Sequence, residues 1–265
     1  MSEASSAGAA KDRYNLAYQT QLDLQAEWLR RGATDKVDSI QYPLENSKIV
    51  PDTVLELGAG TGGVVQERER RGIGRNFLAV DYAEEAISYL QSHATGIETR
   101  VFDITAPDFS LEGHFDLMIL SHVLEHLEQP QPFLQAALKR IDYSHLVIEV
   151  PLENLLGLRL KAIGKDRTVN RANHVQFFTL DSFASLVRSC GLRITDQRVY
   201  VPVVDRDMVR FVCAKNGESG PGLVIKLLTQ HYLPRVLTPM WKRWYYAHCA
   251  VLCESQSESL IVRGE

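Results

Sequence analysis

The segment VLELGAGTGG, from Val54 to Gly63, constrains the fold more than any other part of the sequence. Its apolar start predicts a buried strand, and GGVVQERERRG directly after it predicts a helix. Gly58 and Gly60 permit turn dihedrals and a close approach of a ligand to the backbone, while the helix N-terminus offers free N–H groups. A strand, a glycine loop and a helix in this order predict a ligand-binding turn.

Strands and helices alternate along the chain around that loop. The predicted strands are TVLELG, NFLAV, IETRVFD, FDLMILS and HLVIEVP, and the helices between them are GGVVQERERRG, YAEEAISYLQSH and PQPFLQAALKRI. This alternation is typical of right-handed βαβ units, which build a parallel sheet with helices on both faces. We therefore predict an α/β protein whose ligand binds at the carboxyl ends of the strands.

The segment after the fifth strand has a different pattern. TLDSFASLVRSCG predicts a helix with Thr179 as its N-cap, and LRITDQRVYVPVV predicts a strand. VRFVCAK and HCAVLCES are both candidates for the last strand of the sheet. GLVIKLLTQHYLPRVLTPMWKRWYY is apolar and helix-like, but Pro234 and Pro239 interrupt it, so we expect a broken helical insert at about 220–244.

The N-terminal region divides into two segments. Residues 1–12, MSEASSAGAAKD, are small and polar, and we expect a disordered tail there. Residues 13–48 are expected to form a helical cap, because Leu24 and Trp28 belong to an imperfect apolar stripe, and the linker QYPLENSKIVPD follows. We assign residues 49–265 to one α/β domain.

Composition excludes several classes of protein. The chain has 265 residues, of which 45% are hydrophobic and 23% charged, so it can bury a full core. A formal net charge of -4 gives no broad basic field for nucleic acid. The N-terminus lacks the apolar region of a secretory signal, no apolar run reaches membrane-spanning length, and the four cysteines form no C-x-x-C pair. We therefore expect a cytoplasmic protein with free thiols.

The glycine loop is compatible with two kinds of ligand. Gly58, Gly60 and Gly63 satisfy G-x-G-x-x-G, the dinucleotide fingerprint, which is a weak signal when it stands alone. Glu56 lies two residues before the first glycine. A carboxylate at that place suits a ligand with a positive charge and hydroxyl groups, and it does not suit a pyrophosphate.

Two further acids follow predicted strands. Asp81 ends the second strand and is placed to accept both hydroxyls of a ribose. Asp103 ends the third, where it can take the exocyclic amine of an adenine while Ile104 packs on the ring. A single Asp at a strand end is more often a turn residue or a helix cap. Three acids at three successive strand ends, behind a glycine loop, instead indicate a nucleoside site.

Between about Val54 and Pro151 the chain resembles class I S-adenosylmethionine-dependent methyltransferases. The matching motifs are ELGAGTG, the acid of AVDYAEEAI, the Asp of VFDI and FDLMILSHVLEHLEQP, and the later NHVQFFTLDSFASLVRSCGL is similar to a segment of the same family. The likeness is greatest to the small-molecule branch that includes enzymes of ubiquinone and menaquinone biosynthesis. It implies a Rossmann-like, mostly parallel seven-stranded sheet, an N-terminal helical lid, and S-adenosyl-L-methionine as cofactor.

The resemblance also implies which residues hold the cofactor. Ser121 and His122 fall at the end of the fourth strand, beside its methionine part, and Tyr18 belongs to the lid. The full set of expected cofactor contacts is Tyr18, Glu56, Gly58, Gly60, Gly62, Asp81, Tyr82, Asp103, Ile104, Ser121 and His122.

His122, Glu125 and His126 spell H-x-x-E-H, the motif of inverted zinc proteases. Such a protease needs the motif in the middle of a long helix, but FDLMIL upstream is strand-like and Pro130 follows closely, so we reject that function. The ubiquinone O-methyltransferases carry E-x-x-E-H here, and a divalent ion has been linked to it. His122 replaces the first Glu of that pattern, and a hard cation prefers oxygen ligands, so we expect no metal.

Methyl transfer from a sulfonium needs an acceptor that presents a lone pair, so a hydroxyl, phenol or ammonium must first lose a proton. A histidine is a suitable base near neutral pH. His126 is the first candidate, followed by His122 and His174, and Glu125 could orient a histidine or act alone. We expect a small-molecule acceptor with an O- or N-nucleophile.

The helical insert carries two apolar patches interleaved with Lys and Arg. It suits a pocket for a largely apolar acceptor, a homodimer interface, or peripheral contact with a membrane surface. Two other functions stay open. One is a nucleotide-cofactor oxidoreductase with the same glycine loop, although no Tyr-x-x-x-Lys pair accompanies it, and the other is a protein that binds the cofactor without turnover.

Overall fold

The computed structural model describes residues 3–104, 106, 109–161, 163–164 and 173–255. A seven-stranded sheet with the order β3-β2-β1-β4-β5-β7-β6 forms its centre. All pairs are parallel except those of β7, which runs antiparallel to both β5 and β6. The strands are β1 Thr53–Leu57, β2 Asn76–Asp81, β3 Ile97–Val101, β4 His114–Ser121, β5 Asp142–Leu152, β6 Leu192–Tyr200 and β7 Ala247–Ser255.

Helices cover both faces of this sheet. Along β1, Val54 points towards α1 and α2, whereas Leu55 points towards α4 and α6, as the two-residue period of a strand requires. The prediction of a mostly parallel sheet between two helical layers is confirmed. The helices are α1 Glu3–Asn46, α2 Gly63–Arg70, α3 Glu84–His93, α4 Pro130–Arg140, α5 Leu156–Lys161, α6 Leu180–Ser189, α7 Arg206–Lys215, α8 Pro221–Leu227, α9 Leu233–Val236 and α10 Thr238–Trp244.

The N-terminal helix begins earlier than the composition predicts. Residues 3–12, expected to belong to a disordered tail, are the first turns of α1. Four alanines fall in this stretch, and alanine is the residue that most favours a helix. A kink at Gln21, with φ of -141°, divides α1 into two parts.

The same helix also extends into the predicted linker QYPLENSKIVPD. It continues through Pro43 to Asn46, into the segment assigned as a linker. Val37, Ile40 and Leu44 lie on one face of this part and are fully buried against the sheet. Burial of this face outweighs the backbone hydrogen bond that a proline removes from a helix.

The structure decides between the two candidates for the last strand. HCAVLCES lies in β7, where the thiols of Cys249 and Cys253 are buried, while VRFVCAK lies inside α7. Asp205 caps α7 by accepting a hydrogen bond from the backbone N–H of Met208 at 2.8 Å. The insert between α7 and β7 consists of short helices, as the two prolines predict, with a π-helical turn at Leu228–Tyr232.

Strand direction gathers the functional side chains at one edge. The carboxyl ends of β1, β2, β4 and β5 meet there because these strands are parallel. β6 runs in the same direction, so Tyr200 at its end also lies at this edge, opposite His248 near the start of β7. In the described part of the chain, no helix is long and apolar enough to span a membrane.

Candidate active site

The glycine loop after β1 leaves no room for larger residues. Gly58 has φ of +73° and Gly60 has φ of +55°, a region that favours glycine. A Cβ atom on Gly58 would lie 2.6 Å from Cγ2 of Val123, and one on Gly60 would lie 2.5 Å from the hydroxyl oxygen of Tyr18. The backbone N–H of Gly58 donates to the carbonyl of Val80 at 2.8 Å, which fixes the loop to β2.

Glu56 is a buried carboxylate at the base of the loop. Its side chain is 3% exposed, and burial raises its pKa to about 8, against the charges of Lys36 and Arg68, which lower it. Within the described residues, Oε2 of Glu56 has no hydrogen-bond partner. An unpartnered buried oxygen of this kind is a place where a polar ligand group fits.

Asp81 joins the loop to the end of β2. It accepts hydrogen bonds from the backbone N–H groups of Gly60 at 2.8 Å and Ala83 at 2.9 Å, and the hydroxyl of Tyr14 lies 3.5 Å from Oδ2. Burial raises the pKa of Asp81 above its usual range, while the two backbone donors lower it. The carboxylate therefore orders the loop.

The first half of α1 lies over the residues predicted to hold the nucleoside. Lys11 forms an ion pair with Asp103, and its ammonium lies 4.9 Å from the ring centroid of Tyr82. The ring of Tyr14 lies 5.2 Å from that of Tyr82, and Tyr18 is 5% exposed beside Gly60. Ile104 and Gly62, the other predicted contacts on this side, are buried.

Ser121 and His122 lie where β4 ends, as predicted. The hydroxyl of Ser121 donates to Oε2 of Glu149 at 2.6 Å. His122 has φ of +59°, and its backbone N–H donates to the carbonyl of Glu149 at 2.9 Å. Nδ1 of His122 lies 2.9 Å from Oε1 of Glu125, out of line for a hydrogen bond, and burial lowers the pKa of His122 well below its usual value.

The H-x-x-E-H segment is not a zinc-protease helix. Glu125 and His126 lie on a three-residue 3-10 turn, Leu124–His126, directly after β4. The backbone carbonyl of Glu125 accepts from the N–H groups of Val175 at 2.8 Å and Gln176 at 3.0 Å. These two bonds hold the segment that carries His174 against the turn.

Glu125, His126 and His174 form one cluster, the Glu125 group. Each offers one ligand atom, and these atoms lie within 4.8 Å of one another. Burial lowers the pKa of His126 to about 4, against the charge of Glu125, which raises it. Burial also lowers the pKa of His174, but its hydrogen bond to Glu153 and the charge of Glu125 outweigh burial, and the pKa is raised. Nδ1 of His174 lies 2.5 Å from Oε2 of Glu153.

Comparison with known protein families identifies the type of domain. A family model described as a methyltransferase domain matches residues 18–197, more than half of the chain. The chain belongs to this family. It is an S-adenosylmethionine-dependent methyltransferase that acts on a small molecule.

Two curated relatives are ubiquinone biosynthesis O-methyltransferases. The protein from Hydrogenovibrio crunogenus is 27% identical over 173 residues, which cover 61% of this chain and 71% of the relative. The mitochondrial protein from Schizosaccharomyces pombe is 27% identical over 183 residues, 64% of this chain and 65% of the relative. This methyltransferase is therefore similar to them over only part of their length.

A solved structure shares the fold. The S-adenosylmethionine-dependent methyltransferase from Thiobacillus denitrificans, in complex with S-adenosyl-L-homocysteine, superposes with a TM-score of 0.54. It covers 91% of this chain and 97% of its own, at 12% sequence identity. At this identity the likeness concerns the architecture alone.

The methyltransferase also has a second polar cluster, which sequence reasoning missed. We name it the Glu149 chain, and it consists of Ser121, Glu149, Tyr200, His248 and Tyr246, linked in series by hydrogen bonds. His122 touches it, since its ring centroid lies 4.5 Å from that of His248. One ligand atom each of His122, Glu149 and His248 lies within 4.8 Å of the others, but both side-chain nitrogens of His248 and both carboxylate oxygens of Glu149 already have hydrogen-bond partners.

Lys36 on α1 was also not predicted as a site residue from the sequence. Besides the effect of burial, its positive charge lowers the pKa of Glu56, Glu149, His126 and His248. In the part of the chain that the structure describes, Lys36 forms no ion pair. Its ammonium therefore lies among the site residues without a carboxylate partner within ion-pair distance.

The sequence did contain weak signals for Glu149 and His248. Glu149 interrupts the apolar run HLVIEVP, and a carboxylate in a strand buried on both faces needs partners. His248 interrupts the apolar run AHCAVLC in the same way. Neither signal says that the two side chains meet, because β5 and β7 are about a hundred residues apart in the chain.

Proposed function

We propose that this methyltransferase transfers its methyl group to an oxygen of a small-molecule acceptor, with His174 as the base. The observation that carries the proposal is the 2.5 Å contact between His174 and Glu153, beside Glu125 and His126 and next to the glycine loop. A carboxylate bound to one nitrogen of an imidazole fixes its tautomer and stabilises its protonated form.

The residues of the nucleoside side fit S-adenosylmethionine. Val123 and Tyr18 pack against Gly58 and Gly60 so closely that neither can carry a Cβ, and Glu56 at the base of this loop has an unpartnered buried oxygen, where a polar ligand group fits. We propose that Asp81 binds the ribose hydroxyls and that Asp103, Tyr82 and Ile104 hold the adenine, with Tyr18 and Gly62 around them. When bound, the cofactor supplies a methyl group activated by a sulfonium.

Lys36 completes the cofactor side of the proposal. The methionine part of the cofactor carries a carboxylate, and Lys36 is a cation without a carboxylate partner within ion-pair distance, close to Glu56 and His122. We propose that it pairs with that carboxylate. Ser121 and His122, at the end of β4, lie on the same side and position the same part of the cofactor.

The pKa shifts support a proposal in which His174, and not His126, is the first candidate base. Burial holds the pKa of His126 at about 4, so this residue is a weak base at neutral pH. The pKa of His174 is raised instead, because Glu153 and Glu125 stabilise its protonated form. A base works best when its pKa lies near the working pH, so His174 accepts the acceptor's proton better than His126 does. His126, whose ring centroid lies 5.0 Å from that of His174, positions it.

An apolar cavity favours an acceptor with an apolar part. It has a volume of about 430 Å³ and lies between α5 and α10. Glu153, the partner of His174, lies three residues before α5, and Tyr246 of the Glu149 chain lies two residues after α10. The cavity is lined by Leu156, Gly157, Leu160, Met240, Trp241, Trp244 and Tyr245.

The decisive experiment has two steps. Titration calorimetry with S-adenosyl-L-homocysteine and with NADH distinguishes a methyltransferase from an oxidoreductase that uses the same loop. The protein is then incubated with methyl-labelled cofactor and a metabolite extract, and the labelled product is identified. We expect binding of S-adenosyl-L-homocysteine alone and a labelled ether or ester. A labelled amine would contradict the oxygen acceptor, and binding without any labelled product would indicate a protein that lacks turnover.

A further inference from the structure

The Glu149 chain crosses four neighbouring strands on one face of the sheet. Ser121 on β4 pairs with Glu149 on β5, and Tyr200 on β6 pairs with His248 on β7. All four project from the face that α1 covers, since Ile119, Val147 and Ala250, two residues from them along their strands, pack in the core beneath α1. A polar row at the carboxyl edge of a sheet lies where ligands of such folds bind.

Hydrogen bonds connect this row from a fully buried carboxylate to a half-buried phenol. Oε1 of Glu149, which is fully buried, accepts from the hydroxyl of Tyr200 at 2.8 Å. The oxygen of Tyr200 lies 3.1 Å from Nδ1 of His248, and Nε2 of His248 lies 2.8 Å from the hydroxyl of Tyr246. Tyr246 is the last member of the series and is half-buried.

The number of available protons fixes which group donates in each hydrogen bond of the Glu149 chain. An ionised carboxylate only accepts hydrogen bonds, and each tyrosine hydroxyl has one proton. Tyr200 gives its proton to Glu149, so its oxygen must accept from Nδ1–H of His248. A neutral imidazole with a protonated Nδ1 has an unprotonated Nε2, which therefore accepts the proton of Tyr246.

The charge state of Glu149 supports that direction. Its bond from Ser121, at 2.6 Å, has the length typical of a hydroxyl bound to a carboxylate anion. Burial raises the pKa of Glu149, while Lys36, Ser121 and Tyr200 lower it. Burial lowers the pKa of His248 well below its usual value, which keeps this ring neutral.

Tyr246 then presents an oxygen lone pair to the acceptor site. Its hydroxyl donates its proton to the hydrogen bond with His248, and among the described residues it has no other hydrogen-bond partner. Tyr246 is close to the Glu125 group through two contacts: the ring of His248, its partner, lies 4.5 Å from that of His122, and Nδ1 of His122 lies 2.9 Å from Oε1 of Glu125. Burial and the charges of Glu153 and Glu125 raise the pKa of Tyr246. The Tyr246 end of the Glu149 chain can accept a hydrogen bond, and it cannot donate one.

We propose that Tyr246, with its polarity fixed by His248, Tyr200 and Glu149, is a subsite that accepts a hydrogen bond from a second O–H of the acceptor, next to the oxygen whose proton His174 takes, and that it rejects an acceptor with an ether at this place. The inference rests on the proposed function, because it assumes an oxygen acceptor. An ether in place of this second O–H offers only lone pairs to the lone pair of Tyr246. A site built to pair with a hydroxyl discriminates strongly against an analogue that lacks it.

The direction of the chain can be tested without any acceptor. Nitrogen NMR of the full-length protein with labelled histidine rings, with the His248 signals assigned through His248→Gln, reads the tautomer of this residue. We expect a neutral ring with the proton on Nδ1 in the wild type, and loss of this single tautomer in Glu149→Gln. A proton on Nε2, or a charged ring, would overturn the proposal because Tyr246 would then donate.

The preference of the subsite for a hydroxyl over an ether or an amine is tested with three small probes of similar shape. Phenol, anisole and aniline are titrated into the protein in the presence of S-adenosyl-L-homocysteine, and the shifts of the His248 nitrogen signals give the affinities. We expect phenol to bind about ten- to a hundredfold more tightly than anisole, and more tightly than aniline. Tyr246→Phe should reduce the phenol-to-anisole ratio to about one, whereas Tyr42→Phe, at an exposed tyrosine of α1, should keep it.

Each other result counts against the subsite. Equal affinity for phenol and anisole in the wild type, no binding of phenol, or an unchanged ratio in Tyr246→Phe would overturn it, and preferred binding of aniline would overturn the assignment to oxygen. A failure of the proposed function gives a different result. S-Adenosyl-L-homocysteine would then not bind in calorimetry, whatever the tautomer of His248.

Discussion

The proposed nucleoside side and the proposed acceptor side of the site are built in different ways. On the nucleoside side, the residues from Glu56 to Ile104 lie at the ends of three neighbouring strands. The backbone fixes them, because Asp81 accepts a hydrogen bond from the loop N–H of Gly60, and the close packing of the loop leaves no space for a side chain at its glycines. On the acceptor side, side chains from four strands and two loops bind one another, as Tyr200 binds Glu149 across 51 residues. The first side is a local backbone structure, and the second depends on the whole sheet.

The comparison predicts the largest effect for a change in the Glu125 group. His174→Gln should lower the rate of single-turnover methyl transfer about 100- to 10,000-fold, because the acceptor's proton loses its base. Affinity for S-adenosyl-L-homocysteine should stay the same. His114→Gln, at a histidine with a 48% exposed side chain, is the matched control. Full activity of His174→Gln would show that the base lies elsewhere.

A change on the nucleoside side should act on binding instead. Asp81→Ala leaves the N–H groups of Gly60 and Ala83 without their carboxylate acceptor and removes the proposed ribose contact. We expect an approximately 100-fold loss of affinity for S-adenosyl-L-homocysteine in calorimetry, with an unchanged circular dichroism spectrum. Asp207→Ala, at an exposed aspartate of α7, serves as the control. Wild-type affinity in Asp81→Ala would refute the ribose assignment.

The difference between the two sides also explains what the sequence could predict. Glu56, Gly60 and Asp81 stand at strand ends in a short segment, so their meeting follows from the parallel order of strands. The core strands and helices follow from periodicity in the same way. The segment around Pro43 was wrongly predicted to be a linker. The hydrogen bond that a proline removes from a helix can be read from the local sequence, whereas the burial of Val37 against the sheet, which offsets that loss, cannot.

The acceptor side was predicted only in part. His122, Glu125 and His126 share one motif, and they do lie together, with His174 brought to them by the backbone of Glu125. Glu153, the partner of His174, is an ordinary loop carboxylate in the sequence. Its role depends on the fold of a separate loop, which no local pattern encodes.

The insert tests whether the acceptor side extends into the apolar cavity. Trp241 lines the cavity and is 9% exposed, while Leu228 on the same insert is 45% exposed. Trp241→Ala should raise the KM for the acceptor about tenfold, and Leu228→Ser should change it little. If both variants keep full activity and lose only self-association on a sizing column, the insert is a dimer interface and the cavity takes no acceptor.

A smaller effect is expected when Glu153 loses its charge. The rate of methyl transfer should rise with pH as His174 loses its proton, and Glu153 holds the pKa of His174 up. Glu153→Gln removes the anion, so the pKa of His174 falls and the midpoint of the rise moves to lower pH. A pH profile of single turnover measures this shift. An unchanged midpoint would show that Glu153 does not act on the pKa of the base.

Metal removal should have the smallest effect. Both nitrogens of His248 already form hydrogen bonds, Nδ1 of His174 is held by Glu153, and His122 stands where a hard cation would favour a carboxylate. Exhaustive treatment with EDTA should change the methyl-transfer rate by less than about twofold. Loss of activity that Mg²⁺ or Zn²⁺ restores would show that the Glu125 group or its neighbour holds a metal ion.

The most direct test of the two-sided site is calorimetric titration of S-adenosyl-L-homocysteine into three proteins: the wild type, Asp81→Ala and His174→Gln. Because the backbone-fixed loop holds the cofactor and the Glu125 group serves the acceptor, wild type and His174→Gln should bind with the same affinity, while Asp81→Ala binds about 100-fold more weakly. Equal losses in the two variants, or wild-type binding in Asp81→Ala, would contradict the division of the site into a nucleoside side and an acceptor side.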